Sequence, residues 1–289
     1  MIERTGCSQC QDRLKTTYII LFVFLAFTSA AIAGDNDTPT LVLYAFAAEG
    51  QLLSESMEIN HTDTVLGRPV HRGTLSGQDI ILAESGVGMT NAAMTGQKLI
   101  DKYSPARLVF SGIAGGIDSA VNIGDIVVCD RWVTHDYGYH GPDSFQVSRI
   151  DIYDPGRDSI IEQTFFAVDS ALLATAGLLD PVKLNFDKIG DRIPRLIVGG
   201  AGASGNSFID NAAKRLWLFD HLEARTVDME SAAVAQVCTV NGLPFIIFRS
   251  ASDLAGGAKT ETATAQLRQF FRVAAANSAT VVMAFLNTL

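Results

Sequence analysis

Short apolar runs rich in valine, isoleucine and phenylalanine constrain the fold of this 289-residue chain more than any other feature of its sequence. Strands that are apolar on both faces need helices on both sides, as in parallel or mixed sheets. The sequence therefore predicts a single α/β domain in which helices flank a central, mixed, largely parallel twisted sheet. The predicted strands are 40–46, 79–85, 107–113, 124–133, 195–201 and 244–251.

Helical periodicity fills most of the intervals between these runs. In the last helix Leu267 and Phe271 belong to an apolar face, with Arg268 and Arg272 beside it, so we expect this helix to dock on the sheet. Residues 136–157 keep neither periodicity for long and predict an extended loop, which in a compact enzyme is often functional. The predicted helices are 89–102, 158–178, 210–220, 230–241 and 261–288.

The first 33 residues have the anatomy of a signal peptide. A basic segment precedes the apolar run IILFVFLAF, and the small-residue sequence AIA ends at Ala33. This apolar core is shorter than a membrane span requires. We expect residues 1–33 to direct export and to be cleaved, which leaves residues 34–289 as a periplasmic or secreted domain without membrane attachment. An uncleaved N-terminal anchor is the alternative.

The charge and the cysteines exclude several classes of partner and cross-link. A net charge of −9 without runs of lysine or arginine disfavours binding to nucleic acid or anionic lipid. Cys7 and Cys10 fall within the leader and have no metal or redox context. Cys129 lies in a predicted strand and Cys238 in a predicted helix, where small apolar residues are expected, so no disulfide between them is required.

Polar residues and glycines gather where the predicted strands end, which is where ligands bind in open α/β sheets. Glu49 follows the first strand, Gly86 and Gly88 follow the second, and Asp253 ends the last. Each also has a purely structural interpretation. Glycines make turns, Glu49 could complement a helix dipole, and Asp253 could cap the chain after its strand. These positions, taken one by one, leave both interpretations open.

The stretch TVDMESAAV places two acids, Asp228 and Glu230, on either side of Met229 at the start of a helix. Charge compensation of the helix N-terminus would explain one acid. Other chemistries are less well supported. His135 and His140 lack further converging ligands for zinc. No GxSxG elbow, dinucleotide fingerprint or P-loop occurs in its proper context.

The order of six motifs, AFAAEG, SGVGMTNAA, SGIAGG, SGNSFID, VDMESAAV and RSASD, resembles that of the nucleoside phosphorylase and nucleosidase superfamily. The similarity is greatest to its methylthioadenosine/S-adenosylhomocysteine nucleosidase branch, and it extends over residues 40–288. It implies a nucleoside phosphorylase-like catalytic domain over residues 34–289 that acts on a small purine nucleoside without metal or cofactor. It also implies a homodimer, in which the partner subunit often completes the pocket for the 5′ substituent.

The resemblance implies three catalytic residues. Asp253 matches the acid that donates a proton toward purine N7, and Glu49 matches the acid that orients the attacking water. Glu230 matches the acid that hydrogen-bonds the ribose hydroxyls. Cleavage of an N-glycosidic bond builds positive charge on the sugar and negative charge on the base, and these groups are of the kind that stabilises both.

The resemblance implies further residues that bind the substrate. Phe208 matches the aromatic residue that stacks on the base, and Ile209 beside it matches the main chain that contacts the base edge. Met229 matches the residue that packs on the apolar face of the sugar. Ala114 and Gly115 match the backbone that closely approaches base and sugar.

Whether water or phosphate accepts the sugar is a separate question. Where hexameric phosphorylases hold phosphate with an arginine and a serine, this chain has Phe110 and Ile113, and no basic group is expected nearby. A buried phosphate without charged partners is costly, and Glu49 would repel it, so we favour hydrolysis. The alternatives are a phosphate-dependent purine nucleoside phosphorylase and a non-catalytic, exported nucleoside-binding or storage protein. The nucleosidases commonly have glutamate at Asp228 and serine at Ile113, which leaves the exact nucleoside open.

Overall fold

This computed structural model describes residues 38–258 and 260–289, which form a mixture of strands and helices. The predicted signal peptide, residues 1–33, lies outside the described residues. The strands are β1 (Thr40–Tyr44), β2 (Glu58–Val65), β3 (Arg68–Leu75), β4 (Gln78–Glu84), β5 (Arg107–Gly116), β6 (Ile126–Val128), β7 (Arg131–Thr134), β8 (Gly138–His140), β9 (Phe145–Val147), β10 (Ile150–Asp154), β11 (Ser159–Gln163), β12 (Phe165–Ala167), β13 (Leu196–Val198), β14 (Ala201–Ser204), β15 (Ala224–Asp228) and β16 (Phe245–Asp253). The helices are α1 (Ala47–Ser56), α2 (Met89–Tyr103), α3 (Ser170–Gly177), α4 (Ala212–Leu222), α5 (Ser231–Val240) and α6 (Ala263–Leu286).

A mixed sheet forms the centre of the fold, in the order β12-β7-β14-β15-β5-β1-β4-β3-β2, with β16, β6 and β13 also joined to it. β1 pairs in parallel with β4 and β5, β14 with β7 and β15, and β16 with β5. Antiparallel pairs join β12 to β7 at one end of this order, and β2 to β3 and β3 to β4 at the other. The predicted mixed α/β sheet is therefore confirmed.

The apolar runs form the strands at the centre of this sheet. Every residue of β1 and of β16 is buried, because helices cover both faces. Helix α6 is long and apolar enough to cross a membrane, but half of its apolar window is buried against the protein. Its buried residues include Ala274, Ala279, Val282 and Phe285, which pack as part of the core. α6 is thus a core helix that docks on the sheet, as predicted.

Two sequence-based predictions about the middle of the chain are wrong. Residues 136–157 are not one extended loop, because they contain β8, β9 and β10. Residues 158–178 are helical only from Ser170, where the Asp169 carboxylate accepts hydrogen bonds from two backbone N–H groups, and β11 and β12 precede that helix. These strands are three to five residues long and mostly exposed or half-buried, so they lack the alternating pattern that identifies a strand.

The pairing of β5 with its neighbours places the predicted site residues beside one another. In the parallel register with β16, Arg249 lies opposite Gly112 and Asp253 opposite Gly115. On the other side of β5, Val227 of β15 also pairs with Gly115. The end of β5 is therefore flanked by the ends of two strands that are more than 100 residues away in sequence.

Candidate active site

A cavity of about 380 Å³ opens where β1, β5, β15 and β16 end. Its volume is within the usual range for small-molecule sites. The eighth predicted site residue, Ile209, lines a small recess next to it that shares Phe208, Gly115 and Asp253 with the cavity wall. The structure thus brings all eight predicted site residues together, and their chemical roles stay predictions. Those that line the main cavity are Glu49, Ala114, Gly115, Phe208, Met229, Glu230 and Asp253.

A fully buried arginine, Arg249, lies among the acids of this cavity, although it was not predicted as a site residue. Its Nε is 2.7 Å from the carboxylate of Asp228. Its Nη1 is 3.8 Å from Glu49, and its Nη2 is 3.7 Å from Glu230. The guanidinium also lies 4.1 Å from the ring centroid of Phe110. One positive charge therefore faces three carboxylates at the floor of the cavity.

The position of Arg249 depends on a glycine in the neighbouring strand. A Cβ atom at Gly112 would lie 1.7 Å from Nη1 of Arg249 and 2.7 Å from Oε1 of Glu49. No side chain fits at these distances. The glycine-rich sequence of β5 thus serves the packing of a buried ion cluster, in addition to any approach of main chain to a ligand.

The expectation that no basic group lies near Phe110 and Ile113 is wrong. Arg249 stacks on Phe110, and Arg268 of α6 lines the same cavity. The sequence alone did not show this because the pairing of β16 with β5 is long-range. The available signal was a single basic residue within the buried strand FIIFRSASD. Buried charges are rarely left unpaired, so such a residue calls for partners.

Glu49 is held rigidly at the start of α1. It is 2% exposed, and its two carboxylate oxygens accept hydrogen bonds from the N–H of Ala45 at 2.6 Å and of Ile113 at 2.8 Å. Burial raises the pKa of Glu49, while Arg249 and the backbone donors oppose that change. Glu49 is therefore a fixed carboxyl group whose affinity for a proton exceeds that of an exposed glutamate.

Glu230 is fixed through one oxygen only. Its Oε1 accepts a hydrogen bond from the N–H of Gly88 at 2.8 Å. Burial, followed by the negative charge of Asp228, raises the pKa of Glu230 to about 7. The glycine turn before α2 thus contributes the N–H of Gly88 as a hydrogen-bond donor to the site. The second oxygen, Oε2, accepts no direct hydrogen bond from the described residues, and Arg249 lies 3.7 Å away.

Asp228 performs the helix-capping task that the sequence suggested for the acid pair. Its carboxylate accepts hydrogen bonds from the N–H groups of Glu230 and Ser231, both at 3.2 Å, at the start of α5. It also accepts from the hydroxyls of Ser204 and Ser231 and pairs with Arg249. Asp228 is thus an anchor for the helix and the arginine, which leaves Glu230 to face the cavity.

Asp253 lies at the end of β16, where a register shift against β5 turns the chain. It is 1% exposed, and its carboxylate accepts hydrogen bonds from the N–H of Ala255 and the hydroxyl of Ser252, both at 2.9 Å. Burial raises the pKa of Asp253 to about 6. A Cβ at Gly115 would lie 3.0 Å from Oδ1, so the glycine gives this carboxyl group its room. Asp253 can exchange a proton near neutral pH, as a general acid must.

The remaining walls of the cavity are largely apolar. Phe208 is 45% exposed at its mouth, while Met229 is half-buried. The predicted apolar face of the last helix divides between two surroundings. Its C-terminal part packs on the sheet, and Leu267 and Phe271 line the cavity.

The described residues provide no alternative metal or disulfide chemistry. Among them, no group of three or more histidine, cysteine, aspartate or glutamate side chains could hold a metal ion. His135 is buried and His140 is exposed in β8. Cys129 and Cys238 are buried and free.

Comparison with known proteins matches the chain to one family over almost all the described residues. The sequence model of the phosphorylase superfamily matches residues 39–287. The 5′-methylthioadenosine/S-adenosylhomocysteine nucleosidase of Bacillus cereus strain B4264 is 31% identical over 249 residues, which are 86% of this chain and 98% of that protein.

Two solved structures have similar folds. The nucleosidase of the same description from Neisseria meningitidis, crystallised with methylthio-immucillin-A, matches with a TM-score of 0.70 and 26% identity. The match covers 87% of this chain and 100% of that one. Futalosine hydrolase of Helicobacter pylori matches with a TM-score of 0.70 and 23% identity over 87% of this chain and 98% of that one, which shows a shared fold.

Proposed function

Because the chain belongs to the phosphorylase superfamily, we propose that it hydrolyses a purine nucleoside of the methylthioadenosine/S-adenosylhomocysteine type, releasing the free base and a ribose derivative. The protein is an N-glycosyl hydrolase of the nucleosidase group. The observation that carries the proposal is the meeting of Glu49, Glu230 and Asp253 in one cavity, around a buried arginine. No cofactor is needed for this reaction.

The base leaves as an anion unless it is protonated. With the purine against Phe208 and Ile209, N7 would face Asp253, whose proton is held near neutral pH by burial. Transfer of that proton to N7 as the glycosidic bond breaks would remove the negative charge from the leaving base. A general acid of this kind contributes roughly 100- to 10,000-fold to the rate.

The ribose would lie over Met229 and Glu230. The thioether packs against the apolar face of the sugar, and Oε2 of Glu230 accepts hydrogen bonds from its hydroxyls. Because the N–H of Gly88 holds the other oxygen, the carboxylate is oriented before the substrate binds. Such preorganised acceptors also stabilise the positive charge that develops on the sugar.

The attacking water would lie near Glu49 and Arg249. Their closest atoms, Oε1 of Glu49 and Nη1 of Arg249, are 3.8 Å apart, which is beyond direct hydrogen-bond distance. Glu49 can accept a proton from that water, since backbone N–H groups occupy only one lone pair of each carboxylate oxygen. Glu49 would thereby orient the water toward the anomeric carbon and accept the proton that the water loses.

The same charges disfavour phosphate as the acceptor. Arg249 faces Glu49, Asp228 and Glu230, so the ion cluster at the cavity floor is negative when these carboxylates are ionised. A phosphate anion there would be repelled by carboxylates that already engage the buried arginine. This arrangement supports hydrolysis over phosphorolysis.

A storage protein would have no use for three carboxyl groups held around an otherwise apolar nucleoside pocket.

A substrate panel tests the proposed function. In phosphate-free buffer we expect adenine release from methylthioadenosine and S-adenosylhomocysteine to exceed base release from adenosine, inosine and futalosine. The reason is that the apolar wall formed by Leu267 and Phe271 suits a thioether at the 5′ position. Separation of bases by liquid chromatography measures this. Ligand binding without any base release would instead favour a non-catalytic protein, and preferential cleavage of futalosine would transfer the assignment to that substrate.

We further propose that the mature enzyme is an exported homodimer that begins at Gly34. The leader sequence supports export. Tyr137, Tyr139 and Phe219 are exposed aromatic residues, and Phe208 is exposed at the cavity mouth. Exposed aromatic side chains of this kind support a protein interface. Native mass spectrometry of protein recovered from the periplasm or medium should give twice the mass of residues 34–289. A monomer, or a chain that retains the leader, would contradict the corresponding half of this proposal.

A further inference from the structure

Among the described residues, one basic side chain lines the cavity, and it is exposed to solvent. Arg268 lies on α6 between the cavity-lining Leu267 and Phe271 and is exposed to solvent. Arg249, in contrast, is fully buried beneath the cavity. The two arginines therefore have different surroundings, and the exposed one is free to meet a ligand.

Arg268 makes no hydrogen bond or ion pair with any of the residues that the structure describes. Arg272, one turn further along α6, also makes no hydrogen bond or ion pair with the described residues, but its surroundings differ. It packs 5.6 Å from the ring centroid of Phe271 and lines a separate surface groove with Glu55 and Asp187. An unpaired arginine beside an apolar ligand cavity is suited to recognise an anionic group on the ligand.

The part of a bound nucleoside that would lie near Arg268 follows from the parts of the cavity that are assigned to the base and the ribose. The purine is assigned to Asp253 and Phe208, and the ribose to Glu230. The 5′ carbon lies across the sugar ring from the base, so its substituent points to the wall that remains. That wall is formed by Phe46, Val87, Leu267, Arg268 and Phe271.

We propose that Arg268 is a specificity residue that binds a carboxylate at the end of the 5′ substituent. This inference rests on the proposed function, because it places the nucleoside in the same cavity. The apolar side chains around Arg268 would contact a thioether chain, and the guanidinium would form a two-point contact with the carboxylate. The amino-acid tail of S-adenosylhomocysteine has this chemistry, whereas methylthioadenosine ends in a methyl group.

A carboxylate suits this wall better than a phosphate does. A single guanidinium can neutralise one negative charge with a planar, bidentate pair. A phosphate dianion would leave one charge unbalanced in a cavity that already contains Glu49, Glu230 and Asp253. Adenosine 5′-monophosphate therefore serves as the second anionic probe.

The test compares Arg268→Gln with the native enzyme on methylthioadenosine, S-adenosylhomocysteine and adenosine 5′-monophosphate. We expect the ratio of kcat/KM for S-adenosylhomocysteine to that for methylthioadenosine to fall about 3- to 10-fold, as for a charge-assisted pair that is partly exposed to solvent. The change should appear in KM, because the contact is remote from the reacting bond. Arg272→Gln, the matched control on the same helix, should leave the ratio unchanged.

Three results would overturn the proposal, each in a different way. An unchanged ratio in Arg268→Gln would show that Arg268 does not bind the carboxylate. A larger loss for adenosine 5′-monophosphate than for S-adenosylhomocysteine would reassign the site to phosphate. Failure of the native enzyme to cleave any of these nucleosides would remove the proposed function as well, and is distinguished from the first result by the native rates alone.

Discussion

Replacing Asp253 by asparagine is expected to lower kcat at least about 100-fold, because the variant has no proton to donate to the leaving base. Asparagine has nearly the same shape and can still accept the hydrogen bond from the N–H of Ala255. The fold should therefore persist. Steady-state rates of adenine release from methylthioadenosine measure the effect. Asp220→Asn, which removes an equal charge from the exposed face of α4, is the matched control and should retain native activity.

The pH dependence gives this prediction a second readout. Burial raises the pKa of Asp253 to about 6, so the catalytic proton is lost as the pH rises through that value. We expect kcat/KM of the native enzyme to fall on the alkaline side of about pH 6, and this limb to be absent from the residual activity of Asp253→Asn. A variant that retains more than a tenth of native kcat would show that Asp253 is not the general acid.

The raised pKa of Asp253 also determines whether the Asp253→Asn variant is more or less stable than the native protein. A carboxyl group whose pKa is raised by folding favours the folded state while protonated, below its unfolded value of about 4. That contribution is lost as the pH rises through about 6. At pH 8 the variant is therefore expected to be no less stable than the native protein, which separates lost catalysis from lost folding.

Replacing Arg249 by methionine is expected to reduce the free energy of unfolding by about 3–5 kcal/mol, the usual cost of breaking a buried ion pair by removing one partner. Methionine fills much of the volume but leaves Asp228, Glu49 and Glu230 without a positive charge. Activity should also fall sharply, since Glu49 and Glu230 would take up protons and lose their orientation. Urea unfolding at pH 8, followed by circular dichroism, measures the stability change.

An exposed arginine provides the matched control for this experiment. Arg272→Met removes the same charge from the surface of α6, where substitutions usually change stability by no more than about 0.5 kcal/mol. The destabilisation of Arg249→Met should diminish as the pH falls, because protonation removes the unpaired carboxylate charges. A loss below about 1 kcal/mol at pH 8 would show that Arg249 does not hold this cluster together.

The sequence predicted the sheet because buried strands give a local signal, whereas the site residues were implied by the resemblance of six motifs to the nucleosidase superfamily. Buried central strands are mostly apolar, and the motifs at the ends of β1, β5 and β16 mark the edge of the sheet where ligands bind. The order of these motifs along the chain, which carries the resemblance, placed Glu49 and Asp253 in one hypothesis. The short strands β8 to β11 escaped prediction, since they are held by hairpin pairing and bury few side chains.

The ion cluster could not be predicted, because its members meet only through long-range pairing. Arg249 and Glu49 are 200 residues apart, and the register of β16 against β5 sets their contact. The same cluster explains why TVDMESAAV contains two acids. Asp228 anchors α5 and Arg249, while Glu230 faces the cavity. Aspartate at this position is one carbon shorter than the usual glutamate, and two serine hydroxyls, those of Ser204 and Ser231, complete its contacts.

The most direct test of the central claim is the fate of oxygen in the sugar product. Methylthioadenosine should be incubated with the mature enzyme in phosphate-free water enriched in ¹⁸O. The sugar product is then trapped by reduction, and its mass is measured by mass spectrometry. Hydrolysis by a water oriented at Glu49 predicts adenine and methylthioribose with ¹⁸O at the anomeric carbon. Cleavage that requires added phosphate and yields the sugar 1-phosphate would contradict the account.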